Sequence, residues 1–271
     1  MAVQRNLWEL PFWAWPQLPC PSCDVGTLKI DNNSISNIET RSSEAARSHE
    51  DWEPNWIVER FIAILTCTNP SCKDNVFACG KITKNLDYYP DHDGISGTQL
   101  DDDYFPRFFE PPPPVFPIPS KCPKKVRSEL VRAFALIWSD VDSAGNRLRV
   151  AVEALMNECK IQKKAKIKAE RNKGKFRDLT LDDRIKKFGE KQDEAATHLM
   201  AIKWLGNTGS HTGLAVLTRD DLLDAFEHFE HALDLIYLKN SADLMKRAKH
   251  INELKGPIRA KSKLKGRLRR Q

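Results

Sequence analysis

The sequence has no long uninterrupted run of apolar residues. Of its 271 residues, 41% are hydrophobic and 30% are charged, and none of its apolar segments approaches the roughly 20 residues that a membrane-spanning helix needs. The first eight residues carry one positive charge and lead into aromatic residues separated by prolines, which is not the pattern of a secretory signal. These absences predict a cytoplasmic protein that does not enter the membrane.

The chain has seven cysteines, and because cytoplasmic proteins rarely form disulfides, we expect these residues to bind metal or to stay reduced. Four of the seven form two closely spaced pairs, Cys20 with Cys23 and Cys67 with Cys72. A zinc ribbon carries two such pairs on separate hairpins, and four thiolates complete the tetrahedral coordination of a structural ion. We therefore predict a structural Zn²⁺ bound by these four cysteines, with Cys79 as an alternative fourth ligand. Buried thiols without a metal are the competing interpretation.

The positive charge is confined to two segments of an otherwise nearly neutral chain. The formal net charge is +6. Residues 160–177 hold nine Lys or Arg and one Glu, and the residues from Lys239 to the end hold twelve Lys or Arg and two acidic residues. Concentrated positive charge favours a polyanion partner, because binding each phosphate releases counterions. We predict that nucleic acid, RNA in particular, binds through segments 160–177 and 246–270; a solvated, disordered tail is the alternative.

Composition divides the chain into four regions. Residues 1–83 hold five cysteines and strand-like apolar runs, which predicts a small β-rich zinc-ribbon domain. Residues 84–119 contain an acidic run and four consecutive prolines, which is typical of a linker. Residues 120–240 show helical periodicity, and residues 241–271 form the basic C-terminal tail.

Apolar spacing predicts four or five helices after residue 120. Intervals of three and four residues place the apolar side chains of each helix on one face. Thr180 and Thr218 are expected to cap helices, and Gly145 and Gly206 are expected to end them. The fold class predicted is therefore mainly α, a helical bundle with a small β-rich zinc ribbon at its N-terminus. The first predicted stripe consists of Val126, Leu130, Phe134, Ile137 and Val141.

A turn after the third predicted helix carries the candidate for acid–base chemistry. Asn207 and His211 follow Gly206, and Lys203 precedes it by about one helical turn. A histidine with polar neighbours and a nearby cation suits proton transfer at a phosphate ester. The simpler interpretation is that Asn207 caps the helix and His211 satisfies buried carbonyl groups.

A second pair of histidines shares one face of the last predicted helix. His228 and His231 are three residues apart, a spacing that could present both rings to one metal ion. The sequence places no third ligand beside them. We therefore interpret them as solvated or core-edge histidines.

Several motifs occur in a fixed order along the chain. They are the N-terminal cysteine pairs, the proline-rich segment, the run from Arg147 to Leu155, the run from Leu181 to Ile185, Gly206-Asn207 followed by His211, and Leu217 to Asp221. Together, over roughly residues 15 to 240, these motifs resemble the bacterial family called domain of unknown function 4145. The family is similar to the HEPN superfamily of helical nucleotide-binding domains, and its members recur beside restriction and anti-phage genes. The resemblance implies a dimeric HEPN-like helical bundle in a defence system.

The resemblance also implies a candidate catalytic site. HEPN ribonucleases cleave RNA without a metal ion, using a histidine and an arginine that precedes it by a few residues. His211 matches the histidine and Asn207 its polar companion, whereas the arginine position is unmatched. Lys203, or Arg149 on a neighbouring helix, is the expected electrostatic partner. The chain is thus either a metal-independent endoribonuclease or a dimerising, non-catalytic module that binds nucleic acid or protein.

Overall fold

A computed structural model describes residues 3–23, 25–90, 96–166, 175–208 and 216–238. Its N-terminal half is built around an antiparallel sheet and its C-terminal half around helices. The strands are β1 Leu28–Ile30, β2 Ser36–Glu39, β3 Val58–Cys67, β4 Asn75–Pro90, β5 Ser96–Glu110, β6 Lys164–Lys166 and β7 Phe176–Asp178. The helices are α1 Arg41–Ala46, α2 Lys124–Leu136, α3 Val141–Glu158, α4 Leu181–Gly189, α5 Asp193–Thr208 and α6 Arg219–Leu233.

The main sheet has five strands. Four of them follow the order β1-β3-β4-β5, and the fifth, β2, also pairs with β3. Strand β1 covers the C-terminal end of β3, where Leu28 is opposite Cys67, and β2 covers its N-terminal part, where Glu39 is opposite Glu59. Strands β4 and β5 pair antiparallel. The sheet is curled like half of a barrel, and its side chains Phe61, Leu65 and Ile82 belong to the buried core.

The linker predicted over residues 84–119 is wrong for residues 84–90 and 96–110, which belong to β4 and β5. The acidic run that suggested a linker lies within β5, opposite β4. There the Lys84 ammonium group contacts Asp102 at 2.6 Å and Glu59 at 2.7 Å. Cross-strand pairing of opposite charges favours a strand that the acidic residues alone would disfavour.

The predicted fold class, mainly α, is also wrong, because the chain combines a substantial β-sheet with helices. The helical periodicity after residue 120 is confirmed. Thr180 and Thr218 cap α4 and α6, each with a reciprocal capping box. None of the described helices is both long enough and apolar enough to cross a membrane. Four residues of the first predicted stripe are buried: Val126, Leu130, Phe134 and Ile137.

The predicted helix break at Gly145 is wrong as well. Helix α3 continues through Gly145, and α5 extends two residues beyond Gly206 to Thr208. Both glycines lie where α3 crosses α5, and the Cα of Gly206 is 3.7 Å from the position that a Cβ on Gly145 would occupy. The glycines therefore permit close helix packing, which explains their presence inside helices.

Sheet and helices share one continuous core. The Trp138 ring, just beyond α2, packs against Trp8 at 5.3 Å and against Phe109 of β5 at 4.7 Å, measured between ring centroids. The N-terminal segment reaches across to α6, where the Arg5 guanidinium group contacts Asp224 and Glu227. The two halves are thus joined by buried aromatic contacts and by surface ion pairs.

Candidate functional site

The four predicted cysteine ligands converge on one point beside the main sheet. Their sulfur atoms all lie within 4.8 Å of one another. The Sγ atoms of Cys20 and Cys72 are 3.9 Å apart, and those of Cys23 and Cys67 are 3.7 Å apart. Sulfur ligands at tetrahedral angles around zinc, with bonds of about 2.3 Å, are separated by about 3.8 Å. The four cysteines therefore form a possible metal site.

Strand pairing brings the two cysteine pairs together across 43 residues of sequence. Cys20 and Cys23 precede β1, Cys67 ends β3, and β1 pairs with that end of β3. Gly26 lies directly against the Cys67 sulfur, so a side chain at this position would displace the ligand. The site thus depends on the sheet register as well as on cysteine spacing.

Amide groups of both turns point at the sulfur atoms. The backbone amides of Ser22 and Asn69 each donate to a cysteine sulfur at 3.4 Å, and the Gly26 amide does the same for Cys23. The amides of Val25 and Gly26, with the Asn69 side chain, lower the pKa of Cys23 to about 6. Hydrogen bonds to the thiolate favour its charged form, which is the form that binds metal.

Cys79, the alternative ligand, lies outside this cluster. It occupies β4 opposite Ile62 of β3, while Cys72 completes the set of four. The alternative was open because Cys72 and Cys79 are close in sequence. The strand that begins at Asn75 carries Cys79 along the sheet, away from the turn that holds Cys72.

The predicted catalytic residues of the helical half are only partly brought together. The backbone of Gly206, one residue before Asn207, packs against Arg149: a Cβ on Gly206 would stand 3.0 Å from the Arg149 Cβ. The Arg149 guanidinium group contacts Glu153 at 3.2 Å, on the same helix. His211 lies outside the described residues, so its position relative to Arg149 and Asn207 stays a prediction.

Lys203, the predicted electrostatic partner of His211, forms an ion pair with Asp182. Its side chain is only 11% exposed, and its ammonium group contacts Asp182 of α4 at 3.2 Å. It also lies over the ring of Trp204. Lys203 therefore links α4 to α5. This structural role explains the position of its ammonium group more simply than phosphate binding does.

The basic segment 160–177 is described at both of its ends, and those ends pair with each other. Strands β6 and β7 form a two-stranded antiparallel ribbon in which Lys166 is opposite Phe176. The Phe176 side chain is 60% exposed. Lys164, Lys166 and Lys175 are exposed beside it. An exposed aromatic ring among lysines is a combination that charge counting alone did not reveal.

Two arginines anchor this ribbon to the helices. Arg177 of β7 contacts Asp183 of α4 at 2.8 Å. Arg184 is buried and donates to the Asn157 side chain at 2.8 Å and to the Ile161 carbonyl at 3.2 Å. The base of the ribbon is therefore held against α3 and α4. The other predicted nucleic-acid segment, 246–270, lies outside the described residues.

A group that the sequence analysis did not assemble lies between α5 and α6. His198 of α5 approaches His228 of α6, with their Nδ1 atoms 3.1 Å apart. Its ring also packs against His231, at 4.6 Å between centroids. His198 is thus a ring partner of both histidines, but these three side chains do not form a group that could hold a metal ion, as the four cysteines do. His198 is too distant in sequence to be recognised as a partner by spacing.

The fold and the cysteine cluster define a two-part protein, a sheet region with a possible metal site followed by a helical region. Residues 131–254 match the family model described as Domain of unknown function (DUF4145), which confirms that resemblance for the helical region. Residues 13–109 match a different one, Domain of unknown function (DUF8608), so extending the first resemblance back to about residue 15 was wrong. No curated protein and no solved structure matches the chain.

Proposed function

We propose that this chain is a nucleic-acid-binding protein, with RNA as the favoured ligand. The ribbon β6–β7 and the basic segment 246–270 bind the ligand, and the sheet region supplies a rigid support. The resemblance of the helical region to a family found beside restriction and anti-phage genes favours a role in defence against foreign nucleic acid. It also favours a homodimer, which sedimentation velocity of the purified chain would test.

The exposed Phe176 on the basic ribbon is the observation that carries this proposal. Its side chain is 60% exposed, and Lys166 is its cross-strand partner. Proteins that bind single strands combine cations that contact phosphates with aromatic rings on which bases stack. Within the part of the chain that the structure describes, neither Lys166 nor Lys175 makes an ion pair, so both remain available for phosphates.

The contacts of the other candidate residues favour binding over cleavage. Lys203 is buried against Asp182, and the Arg149 guanidinium group is paired with Glu153. Stabilising a phosphate in a transition state would require breaking one of these pairs. The non-catalytic alternative requires no such rearrangement.

Endoribonuclease activity is the second candidate function, and one contact supports it. Arg149 packs against Gly206, which immediately precedes Asn207 and lies five residues before His211 in the sequence. An arginine from a neighbouring helix would then replace the arginine missing from the sequence motif. In that case His211 acts as the acid and base, and Arg149 stabilises the phosphate charge.

Zinc is the metal that we assign to the four cysteines. Four sulfur donors at tetrahedral separations are typical of structural zinc sites, which have no open position for water. Such an ion stabilises the turns before β1 and after β3 and adds no catalytic step. Cys20, Cys23, Cys67 and Cys72 would hold it, and the amides that donate to sulfur would orient them.

Fluorescence anisotropy with a labelled 20-nucleotide RNA tests the binding proposal. We expect Lys166→Ala combined with Lys175→Ala to weaken binding and to reduce the dependence of affinity on salt. Phe176→Ala should cost about 1–3 kcal/mol with single strands, because a stacked base loses its platform. Deletion of residues 247–271 should weaken binding to single and double strands alike.

The matched controls are Lys29→Ala, which removes an exposed lysine of β1, and Trp13→Ala, which removes an aromatic side chain that is 81% exposed. Both should leave affinity unchanged. Unchanged affinity in the ribbon variants, with a loss in the truncated chain, would confine binding to the tail. If neither the ribbon variants nor the deletion of residues 247–271 changes the affinity for RNA, the binding proposal is wrong.

A further inference from the structure

A cleft opens where the base of the ribbon β6–β7 meets α3 and α4. Its volume is about 310 Å³, at the lower end of the range of about 300–1,000 Å³ that small-molecule sites occupy. The backbone amide of Leu179 donates to the Lys163 carbonyl at 2.7 Å and joins the two ends of the ribbon beside the cleft. The polar side chains that line the cleft come from α3, from α4 and from the ribbon: Glu153, Asn157, Lys163, Asp178 and Arg184.

Within the described part of the chain, Arg184 is a buried cation that forms no ion pair. The residue is only 6% exposed. Its Nη2 atom donates to the Asn157 side chain and to the Ile161 carbonyl, and both acceptors are uncharged. Its Nε atom is buried without a hydrogen-bond partner among the described residues. Burial of a charge is costly unless an opposite charge offsets it, so this position favours an anion.

The carboxylates that line the cleft are paired with other cations. Glu153 contacts Arg149 at 3.2 Å, and Asp178 contacts Lys164 at 3.9 Å. The Glu153 charge raises the pKa of Arg184, but burial lowers that pKa more strongly. Lys163 is exposed and, among the residues that the structure describes, makes no ion pair. The lining and its ion-pair partners thus hold more cations than carboxylates: Arg149, Lys163, Lys164 and Arg184 against Glu153 and Asp178.

The hydrogen bonds that Arg184 donates would explain a structural role for its side chain. They use only the Nη2 atom, however, and two neutral acceptors do not require a buried cation. A guanidinium group suits a phosphate, because it stays charged and its N–H groups match the phosphate oxygens in one plane. We propose that this cleft binds a phosphate group, with Arg184 as the buried cation and Lys163 as the exposed one. A free sugar phosphate and a strand of RNA both carry this group.

The position of the cleft connects it with the ribbon, and this part of the inference rests on the proposed function. Lys163 immediately precedes β6, and Lys166, which is opposite Phe176, lies three residues further along. A strand rises about 3.3 Å per residue, so the two lysines are about 10 Å apart along the ribbon. The cleft and the exposed ring are thus close enough for one short single strand to reach both.

Saturation-transfer NMR of the full-length chain in a phosphate-free buffer tests the proposal, with ribose 5-phosphate and ribose as the probes. We expect ribose to bind at least about tenfold more weakly than ribose 5-phosphate, because a hydrogen bond to a charged group contributes about that factor or more. Inorganic phosphate should displace ribose 5-phosphate. Binding should persist after deletion of residues 247–271, which separates the cleft from the basic tail, and in Phe176→Ala, which separates it from stacking on the ribbon.

Lys163→Ala should weaken the binding of ribose 5-phosphate roughly two- to fivefold, as expected for an exposed ion pair. Arg184→Lys should weaken it about tenfold or more, because the planar fork of a buried guanidinium group is lost. Lys163 is exposed, so its replacement keeps the proposal testable if Arg184→Lys does not fold. The matched control is Lys191→Ala, which removes an exposed lysine beyond the other end of α4 and should have no effect. Absence of binding in the wild type, equal binding of ribose, or equal affinity in Lys163→Ala and Lys191→Ala would overturn the proposal.

Competition with the labelled RNA identifies the source of the phosphate group. If ribose 5-phosphate weakens the apparent affinity for RNA, the cleft holds a phosphate of the strand. If the two bind independently, the cleft holds a free phosphoester. If the chain binds no RNA at all, the proposed function is wrong, whereas the cleft should still bind ribose 5-phosphate.

Discussion

Gly206 of α5 lies so close to Gly145 of α3 that a Cβ on Gly206 would stand 2.8 Å from the Gly145 carbonyl oxygen. It would also stand 3.0 Å from the Arg149 Cβ. A Cβ on Gly145, in contrast, would meet a terminal methyl group of Leu217 at 2.7 Å. Backbone atoms cannot move aside as the end of a side chain can, so the two glycines are not equivalent.

Gly206→Ala should therefore destabilise the chain more than Gly145→Ala. Overpacking costs about 1–3 kcal/mol, partly offset by the gain of about 0.5–1 kcal/mol when alanine replaces glycine in a helix. We expect Gly206→Ala to lower the melting temperature by several degrees, since 1 kcal/mol corresponds to about 2–4 °C at this size. Thermal unfolding followed by circular dichroism measures both variants. Equal melting temperatures of Gly206→Ala and Gly145→Ala would show that α3 and α5 can move apart at no cost in stability.

The purified chain should contain one tightly held zinc ion at the cysteine cluster. Cys67→Ser should lose it and unfold at a lower temperature, because metal binding to the folded state stabilises that state. Metal analysis by mass spectrometry, with thiolate-to-cobalt absorption after exchange, measures the occupancy. Cys79→Ser, which changes a cysteine of β4 outside the cluster, is the control and should retain the ion. Similar loss in both variants would contradict the assignment of ligands.

Cleavage assays on structured and unstructured RNAs separate the two proposed functions. If the chain only binds, wild type and His211→Ala give the same background, and both bind RNA equally well. If it is a ribonuclease, His211→Ala and Arg149→Ala abolish cleavage, and activity is greatest near neutral pH, where imidazole can exchange protons. We expect the first outcome, because Arg149 and Lys203 are held by carboxylates. Cleavage that His211→Ala removes would establish the enzyme instead.

The stability provided by Asp183 should disappear in acid. The Arg177 guanidinium group, followed by the Thr180 amide, lowers the pKa of Asp183 from 3.8 to about 2. A carboxylate with a lowered pKa stabilises the folded state above its unfolded pKa, and that contribution is lost as pH falls through its folded pKa. Asp183→Asn should therefore reduce the free energy of unfolding equally at pH 7 and pH 5.

The difference in the free energy of unfolding between wild type and Asp183→Asn should be smaller at pH 3. At that pH, part of the stabilisation by the wild-type carboxylate is already lost. Urea denaturation at the three pH values measures it, with Asp193→Asn, in the first turn of α5, as the control. A difference between wild type and Asp183→Asn that persists unchanged at pH 3 would show that the charge is not responsible. The same ion pair anchors the ribbon, so the variant should also weaken RNA binding slightly.

Features with local causes could be predicted from the sequence. Thr180 and Thr218 cap their helices because the hydroxyl and the carboxylate three residues later satisfy amides within the same turn. The cysteine pairs were recognisable because turn spacing and metal coordination are linked. Each cap is complete within one turn, whereas the two cysteine pairs meet only through the pairing of β1 with β3.

Features that depend on distant partners could not be predicted. The acidic residues of β5 appeared to belong to a linker, since Lys84, which contacts Asp102, is on another strand. His198 gave no signal because its partner His228 is 30 residues away on the next helix. The mainly α prediction failed for the same reason: long strands with charged residues are stabilised by pairing that a single segment does not reveal.

Residues 3–12 precede both of the matched regions, which cover 13–109 and 131–254. Yet Trp8 of this segment packs on Trp138, and Arg5 is paired on α6. A fragment cut at the boundaries of the second match, residues 131–254, would lack Trp8 and leave the Trp138 ring without this aromatic neighbour. The two regions are thus not independent units. A chimaera that joins either region to a different partner must also include residues 3–12.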